Sequence, residues 1–315
     1  MTDGTIRILW DDATKQQWTG LLSRVPNSCY MHSWGYGEAI FKHTKMVPHR
    51  GVIYKSITPI GVVQAFQRRY PFGVFITTKI IRGPQWVEDL ATEEDKVQAD
   101  MLLLQHFGTV FGASLEIIPE LEDSQNNKQL KENLGFKVTK EGLSTNYLDI
   151  REDIVLIESH MNQQWLEDLK QAESMNYKVT FSDDFKTIEW MLEKYEEVTK
   201  KLVIDCPSAD FIRCFITNNE KPSFVAKIII IEPLLAGALI VTHGQSATYL
   251  FGWCSAEGLQ KKADHLLLWR CIEKLQKMGI QSLDLGGIDI KHIKSANDAT
   301  DRLTYKPKIL IGRNS

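Results

Sequence analysis

Cys254 and Ser255 stand side by side at the end of an apolar run, residues 249–253, where a thiol or hydroxyl would be placed to attack an acyl carbon. Such a nucleophile needs a neighbouring base to take its proton. No histidine lies near it in a triad-like arrangement, so Cys254 reads as a residue facing a core. Asp284 ends a later strand just before Gly286-Gly287. A carboxylate there acts either as a general base or as an acceptor for the backbone of the glycine turn, and the glycine pair permits positive φ or close backbone approach. Cations for an anionic ligand are offered by Arg213 in the second half and by Arg68, Arg69, Lys79 and Arg82 in the first. The stretch 288–315 carries six Lys and Arg against three Asp. A nucleic-acid partner needs such a patch, and ordinary solvation accounts for either equally well.

Several common chemistries are excluded by the motifs that are missing. There is no G-x-x-x-x-G-K-[ST] phosphate loop, no G-x-S-x-G elbow and no H-E-x-x-H. Gly35-Tyr36-Gly37 is a lone G-x-G without the strand-to-helix context of a dinucleotide fingerprint. The five cysteines are scattered and lack C-x-x-C pairing, and the eight histidines show no ligand spacing. Free buried thiols in a reducing compartment, no metal and a cytoplasmic location are therefore expected. The longest apolar run, 227–241, is interrupted by Glu232, Pro233 and Gly237 and falls short of the ~20 residues that span a bilayer. A net charge of −3 gives no global attraction to polyanions.

The elements that position these residues alternate between two periods. Apolar residues at helical spacing after Asp11-Asp12 (Trp18, Leu21, Leu22, Val25) predict a first helix capped by that pair, and Ser33 precedes a second with an aromatic face. Runs at 51–54, 59–70 and 73–81 read as a β-meander, followed by a helix over 93–111 and a strand over 114–118. Two helices around a strand at 177–181 fill 162–202, and a further helix covers 209–218. Strands at 223–231, 235–243 and 247–253 then lead into one long helix, 259–278, and a strand at 282–285.

The two halves share an order of three β runs, a long helix and a strand. This is the pattern of a duplicated α/β domain, divided here as 1–150 and 151–315.

The stretch 249–288 also resembles a known signature. Tyr249, Gly252 and Ser255 match a Y-x-x-G-A-S-like strand end; Leu267, Leu268, Trp269 and Ile272 match a helical L-L-x-W-x-x-I; and Asp284, Leu285, Gly286, Gly287 and Ile288 match a D-L-G-G-I strand. Together these resemble the second-domain pattern of the Fem family of aminoacyl-tRNA-dependent transferases. In the first half, the run from His32 to Glu38, H-S-W-G-Y-G-E, is similar to the family's Q-S-W-x-W-G-E, and Arg82-Gly83-Pro84 to its R-G-P. The resemblance implies an α/β (α+β) chain of two tandem GNAT-like acyltransferase domains, with no room for a helical-hairpin arm in the second half. It implies amide-bond formation on an amine acceptor such as a peptidoglycan precursor, an amino sugar or a peptidic metabolite. Aminoacyl-tRNA is then the co-substrate, with no further cofactor.

By the same resemblance Tyr305-Lys306 stands where the family has a catalytic Phe-Lys pair, Lys306 being the cation near the oxyanion. The family's F-K-x-G-F-G run is here Y-K-P-K-I-L, which lacks both glycines. The implied substrate-binding residues are Trp34, Tyr36, Lys42, Arg82, Arg213, Tyr249, Ser255, Asp284, Gly286 and Gly287. Enzymes of this fold that use acetyl-CoA carry Q/R-x-x-G-x-G/A before the long helix. The matching run here is Ser255-Ala-Glu-Gly258-Leu-Gln260, which disfavours CoA. An N-acyltransferase using acyl-CoA or an acyl carrier protein, and a non-catalytic binding protein on this fold, are the alternatives.

Overall fold

The structure, a computed structural model, describes residues 4–70, 75–87, 89–108, 112–120, 124–140, 145–202, 206–219, 221–229, 234–287 and 310–312. It falls into two compact units: Met1–Ser144 with Asn218–Glu220 and Lys306–Ser315, and Thr145–Thr217 with Lys221–Tyr305.

The first unit runs β1 (Ile6–Trp10), α1 (Lys15–Leu22), a short 3-10 turn (Tyr30–His32), α2 (Trp34–Thr44), β2 (Val47–Lys55), β3 (Thr58–Arg69), β4 (Ile76–Ile81), β5 (Gln85–Trp86), α3 (Glu93–Phe107), β6 (Ala113–Ile118), α4 (Gln125–Asn133) and β7 (Lys137–Lys140). The second runs β8 (Thr145–Asp149), α5 (Ile154–Ser159), α6 (Gln163–Ser174), β9 (Lys178–Ser182), α7 (Phe185–Leu202), α8 (Ala209–Asn218), β10 (Phe224–Ile229), β11 (Leu234–His243), β12 (Ser246–Cys254), α9 (Ala256–Gln260), α10 (Ala263–Lys277) and β13 (Ser282–Gly287). A last strand, β14 (Leu310–Gly312), returns to the first sheet.

The sheets are ordered β1-β2-β3-β4-β6-β14-β7, with β5 on β3, and β8-β13-β12-β11-β10-β9. In both, three antiparallel strands lead through a helix to a strand parallel to the third. The repeat expected from the sequence is therefore present as topology. An exchange accompanies it. β8, grouped with the first half in the sequence reading, pairs with β13, while β14 inserts between β6 and β7.

Each sheet is buried on both faces. Strand alternation sends Ile53 and Val63 toward α3, and Val52 and Val62 toward α1. In the second unit Ala238 and Ile240 pack under α6 and α10, while Val225 and Leu239 pack under α7 and α8.

Two local expectations are corrected. The cap of α1 is Thr14, in a capping box with Gln17. Asp11 is occupied elsewhere, accepting from Arg50 N at 2.8 Å and from His49 Nδ1 at 2.8 Å. The helix expected over 259–278 is two helices, because Lys262 is left-handed at φ 55°.

In the first unit the two short motifs interlock. His32 is fully buried, accepts from Gln64 N at Nδ1 (3.2 Å) and donates from Nε2 to Ile81 O (3.0 Å). Its ring lies against Gly83, where a Cβ would sit 2.5 Å from Cε1 and Nε2. Gln85 accepts from Cys29 N at 2.8 Å and donates to Arg82 O at 2.7 Å. Hence the H-S-W-G-Y-G-E and R-G-P segments are two sides of one packed joint.

Burial holds the His32 imidazole down to about 4 from its free value of 6.5. The unfolded chain gains this proton below about pH 6.5 while the fold resists to about 4, so the His32 contribution is full above pH 6.5 and lost as pH falls toward 4. Urea unfolding should lose roughly 3 kcal/mol to this group over that interval. Gly83→Ala should destabilise by about 1–3 kcal/mol through the clash. Gly20→Ala, in α1 with nothing within 4 Å of its Cβ, should stabilise by about 0.5–1 kcal/mol.

Candidate active site

The parallel pairs of the two units differ. β4 and β6 are in register over all of Ile76–Ile81, and Gly83 N continues the ladder to Ile118 O at 3.2 Å. β12 and β13 are paired only from Ser246↔Ser282 to Thr248↔Asp284 and then part. Both strands are irregular where they separate. On β12, Tyr249 opposes Ile240 and Phe251 opposes Leu239, so Leu250 has no partner residue on β11. On β13, Asp284 opposes Tyr147 and Gly287 opposes Thr145, leaving Leu285 and Gly286 as the bulge. Gly286 has φ +86°, and a Cβ there would come 3.7 Å from Tyr249 O. Beyond Thr248 and Asp284, then, two facing strand edges do not pair with each other. Such edges are suited to an extended, amide-bearing or acyl-bearing chain.

Side chains around the opening mostly hold it in shape. Asp284 is buried; its Oδ1 accepts from Gly286 N at 2.9 Å and lies 2.5 Å from the Thr145 hydroxyl, which is 2.8 Å from Gly286 O. The carboxylate thus fixes the glycine turn, one of the two roles its position allowed. The bulge at Leu250 puts Tyr249 and Gly252 on one face, and the Tyr249 ring lies over Gly252 so closely that a Cβ there would meet its hydroxyl at 2.1 Å. Burial raises the Tyr249 phenol, keeping it protonated. Ser255 is the N-cap of α9, accepting from Gly258 N at 3.0 Å. Burial pushes the Cys254 thiol up to about 12, with Asp264 adding to the shift; a thiol so protonated is a poor nucleophile.

At the start of α10 stands a cluster that the sequence did not disclose. Asp168 of α6 accepts from Lys262 Nζ at 3.0 Å and lies 3.6 Å from His265 Nε2, while His265 Nδ1 is 3.1 Å from Asp264 Oδ1. His265 is buried beside Trp165, ring centroids 5.5 Å apart. A helix N-terminus favours an anion, and here carboxylates already occupy the position. Asp168 is 94 residues from Lys262, and only the packing of α6 on α10 joins them. The one visible sign was an Asp in the first turn of a helix.

The remaining implied residues lie on other elements. Trp34 stacks under Arg50, whose guanidinium carbon is 3.6 Å from the ring centroid, and Arg50 also bonds Gln64 Oε1 at 3.0 Å and Glu38 Oε1 at 3.0 Å. Tyr36 is core, edge-on to Tyr30 and Phe66. Lys42 is exposed on the last turn of α2. Arg82 is paired with Glu120 through Nε at 3.1 Å and Nη2 at 3.2 Å. Glu120 and the buried Lys131–Asp100 pair line a small hollow together with Gly83 and Pro119. Arg213 is bound by Glu189 at 2.6 and 2.7 Å and by Asp210, and the Glu189 contacts hold it protonated. Of the implied set, Tyr249, Ser255, Asp284, Gly286 and Gly287 border or support the β12–β13 opening. Tyr305 and Lys306 lie outside the described residues.

No family model matches the sequence, and no curated protein is similar to it. Among solved structures, FemX superposes with a TM-score of 0.76 at 16% identity, over 96% of this chain and 96% of its own. The chain has a FemX-like fold. The C-terminal domain of a putative lysylphosphatidylglycerol synthetase from Agrobacterium fabrum aligns at 0.57 and 12%, covering 96% of this chain and 91% of that one. A conserved protein of unknown function from Bacteroides thetaiotaomicron aligns at 0.56 and 11%, covering 98% and 100%. The Fem-like, tandem GNAT-like architecture expected from the motifs is thus the architecture found.

Asp284→Ala removes the acceptor of Gly286 N, and a loss of about 1–3 kcal/mol is expected in urea titration. Cys206 and Cys254 are both partly buried and Cys271 is buried; with the Cys254 thiol pushed up by burial, dithionitrobenzoate at pH 8 should label Cys206 well before Cys254 or Cys271 in the native protein, and early Cys254 labelling would contradict this environment.

Proposed function

We propose that this protein is an acyltransferase that forms an amide bond, moving an aminoacyl group from the ester of a charged tRNA to an amine acceptor in the cytoplasm. The supporting observation is the pair of open strand edges in the second unit, bordered by Tyr249 and Gly286. The acceptor nitrogen attacks the ester carbon, the C–N bond forms, the bond to the tRNA ribose oxygen breaks, and the amine proton ends on that oxygen. An ester is already activated, so the protein has to align the two partners and stabilise the tetrahedral oxyanion. Backbone N–H groups along a parted strand edge are the kind of donor that task needs, and Lys306 is the side chain we assign to it, with Tyr305 beside it in the sequence.

An acyl-CoA donor is disfavoured by charge. Its pyrophosphate would be placed at the start of the long helix, here α10, and that position already holds Asp168 and Asp264 near Lys262 and His265. A terminal aminoacyl-adenosine needs only a narrow opening there and leaves its phosphates to surface cations. FemX and the protein named as a lysylphosphatidylglycerol synthetase share the fold. Peptidoglycan precursors, amino sugars and peptidic metabolites are the acceptor classes to try.

Pooled charged tRNAs with such a panel should give amide product that ribonuclease abolishes, and acetyl-CoA should give none. Lys306→Ala should lower kcat about 100-fold or more, the range for loss of one oxyanion donor, with KM little changed. Ribonuclease-resistant transfer from a thioester would overturn the donor assignment.

A further inference from the structure

We propose that the first unit carries a docking surface for an anionic lipid bilayer, at the end of its sheet where α2 and β3 finish and β2 and β4 begin. The proposal is independent of the transfer chemistry. Its first basis is the distribution of charge. The chain holds 37 Lys and Arg against 40 Asp and Glu, yet residues 39–87 contain eight of the former and none of the latter.

Of those eight, four are met by carboxylates from outside the stretch: Arg50 by Glu38, Lys55 by Asp95, Lys79 by Glu116 and Arg82 by Glu120. The other four, Lys42, Lys45, Arg68 and Arg69, form no ion pair with any carboxylate among the described residues. All four lie at one end of the sheet. The register places Val47 opposite Gln67 and Arg69 opposite Ile76, so the start of β2, the end of β3 and the start of β4 coincide. Arg68 Nη2 donates to Thr44 O, which fastens the end of α2 to the same place, and Lys45 Nζ donates to Lys42 O at 3.2 Å.

The second basis is apolar. Phe41, Val47, Tyr70 and Phe75 are 48%, 44%, 44% and 62% exposed, and Tyr70 N bonds Phe75 O at 3.0 Å. Single exposed apolar side chains are ordinary, whereas several at one sheet end among unpaired cations indicate a surface that is covered in use. Aromatic rings at the headgroup level, with Lys and Arg reaching lipid phosphates, describe a protein that lies on a membrane. Among the described residues no helix is long and apolar enough to cross one, so the contact would be peripheral. Single-stranded RNA also selects cations with aromatics. Val47 offers it no ring to stack on, and its removal from water gains more from acyl chains.

The test is co-sedimentation of the full chain with vesicles of phosphatidylcholine, alone or with 30% phosphatidylglycerol, in 0.1 M salt. Binding is expected to the mixed vesicles and at least tenfold less to phosphatidylcholine. K45E/R69E should weaken it at least tenfold. Phe75→Ser should weaken it several-fold, with urea midpoints of both variants near wild type. Substituting exposed residues leaves the core intact; should either variant unfold, the milder K45A/R69A and Phe75→Ala replace them. Absence of sedimentation with the mixed vesicles, or binding indifferent to both variants, overturns the proposal. So does uncharged tRNA binding that the same variants abolish while vesicles are not bound, which would assign the surface to RNA.

Discussion

A sheet strand that stops pairing with its neighbour must have its freed backbone groups satisfied by something else. In this protein that constraint falls on β12 and β13 past Thr248 and Asp284. The parting is built in at two places. A bulge at Leu250 turns β12, and the Asp284–Gly286 turn bends β13 under the control of Thr145. Thr145 belongs to β8, which the chain supplies to this sheet from the far side of β13. The exchange of β8 and β14 therefore matters for the opening, since the strand that fixes it is not the one local chain order would provide.

The first unit shows what the same topology looks like when closed. β4 and β6 stay paired throughout, Gly83 N carries the ladder on to Ile118 O, and Arg82 and Glu120 pair just beyond. The two units thus share a topology and differ at this edge, and the proposed chemistry is placed in the second for that reason.

Much of the fold was legible in the sequence because it is written in periodicity. The α8 bounds and the β2-β3-β4 and β10-β11-β12 runs follow from apolar spacing. What periodicity does not carry is pairing over long separations. Nothing in residues 145–149 says that they join β13, and Asp168 gives no sign of Lys262 or His265. Conformation at single residues is equally silent. Lys262 has ordinary helix propensity, yet its left-handed backbone divides the expected helix. Asp11 looked like a cap, and Thr14 with Gln17 took that position because the box satisfies two donors at once.

The motif residues proved legible in a different sense from the one their family role implied. Gly83 is there because the His32 ring leaves no space for a side chain, and Gly252 because the Tyr249 ring lies across it. Ser255 caps a helix and Asp284 holds a turn. These contacts are geometric requirements of the opening and of the joint in the first unit. A reaction that needs only alignment and a few N–H donors places little demand on side-chain identity. It follows that the residues most visible in the sequence maintain the shape of the opening rather than supply reacting groups.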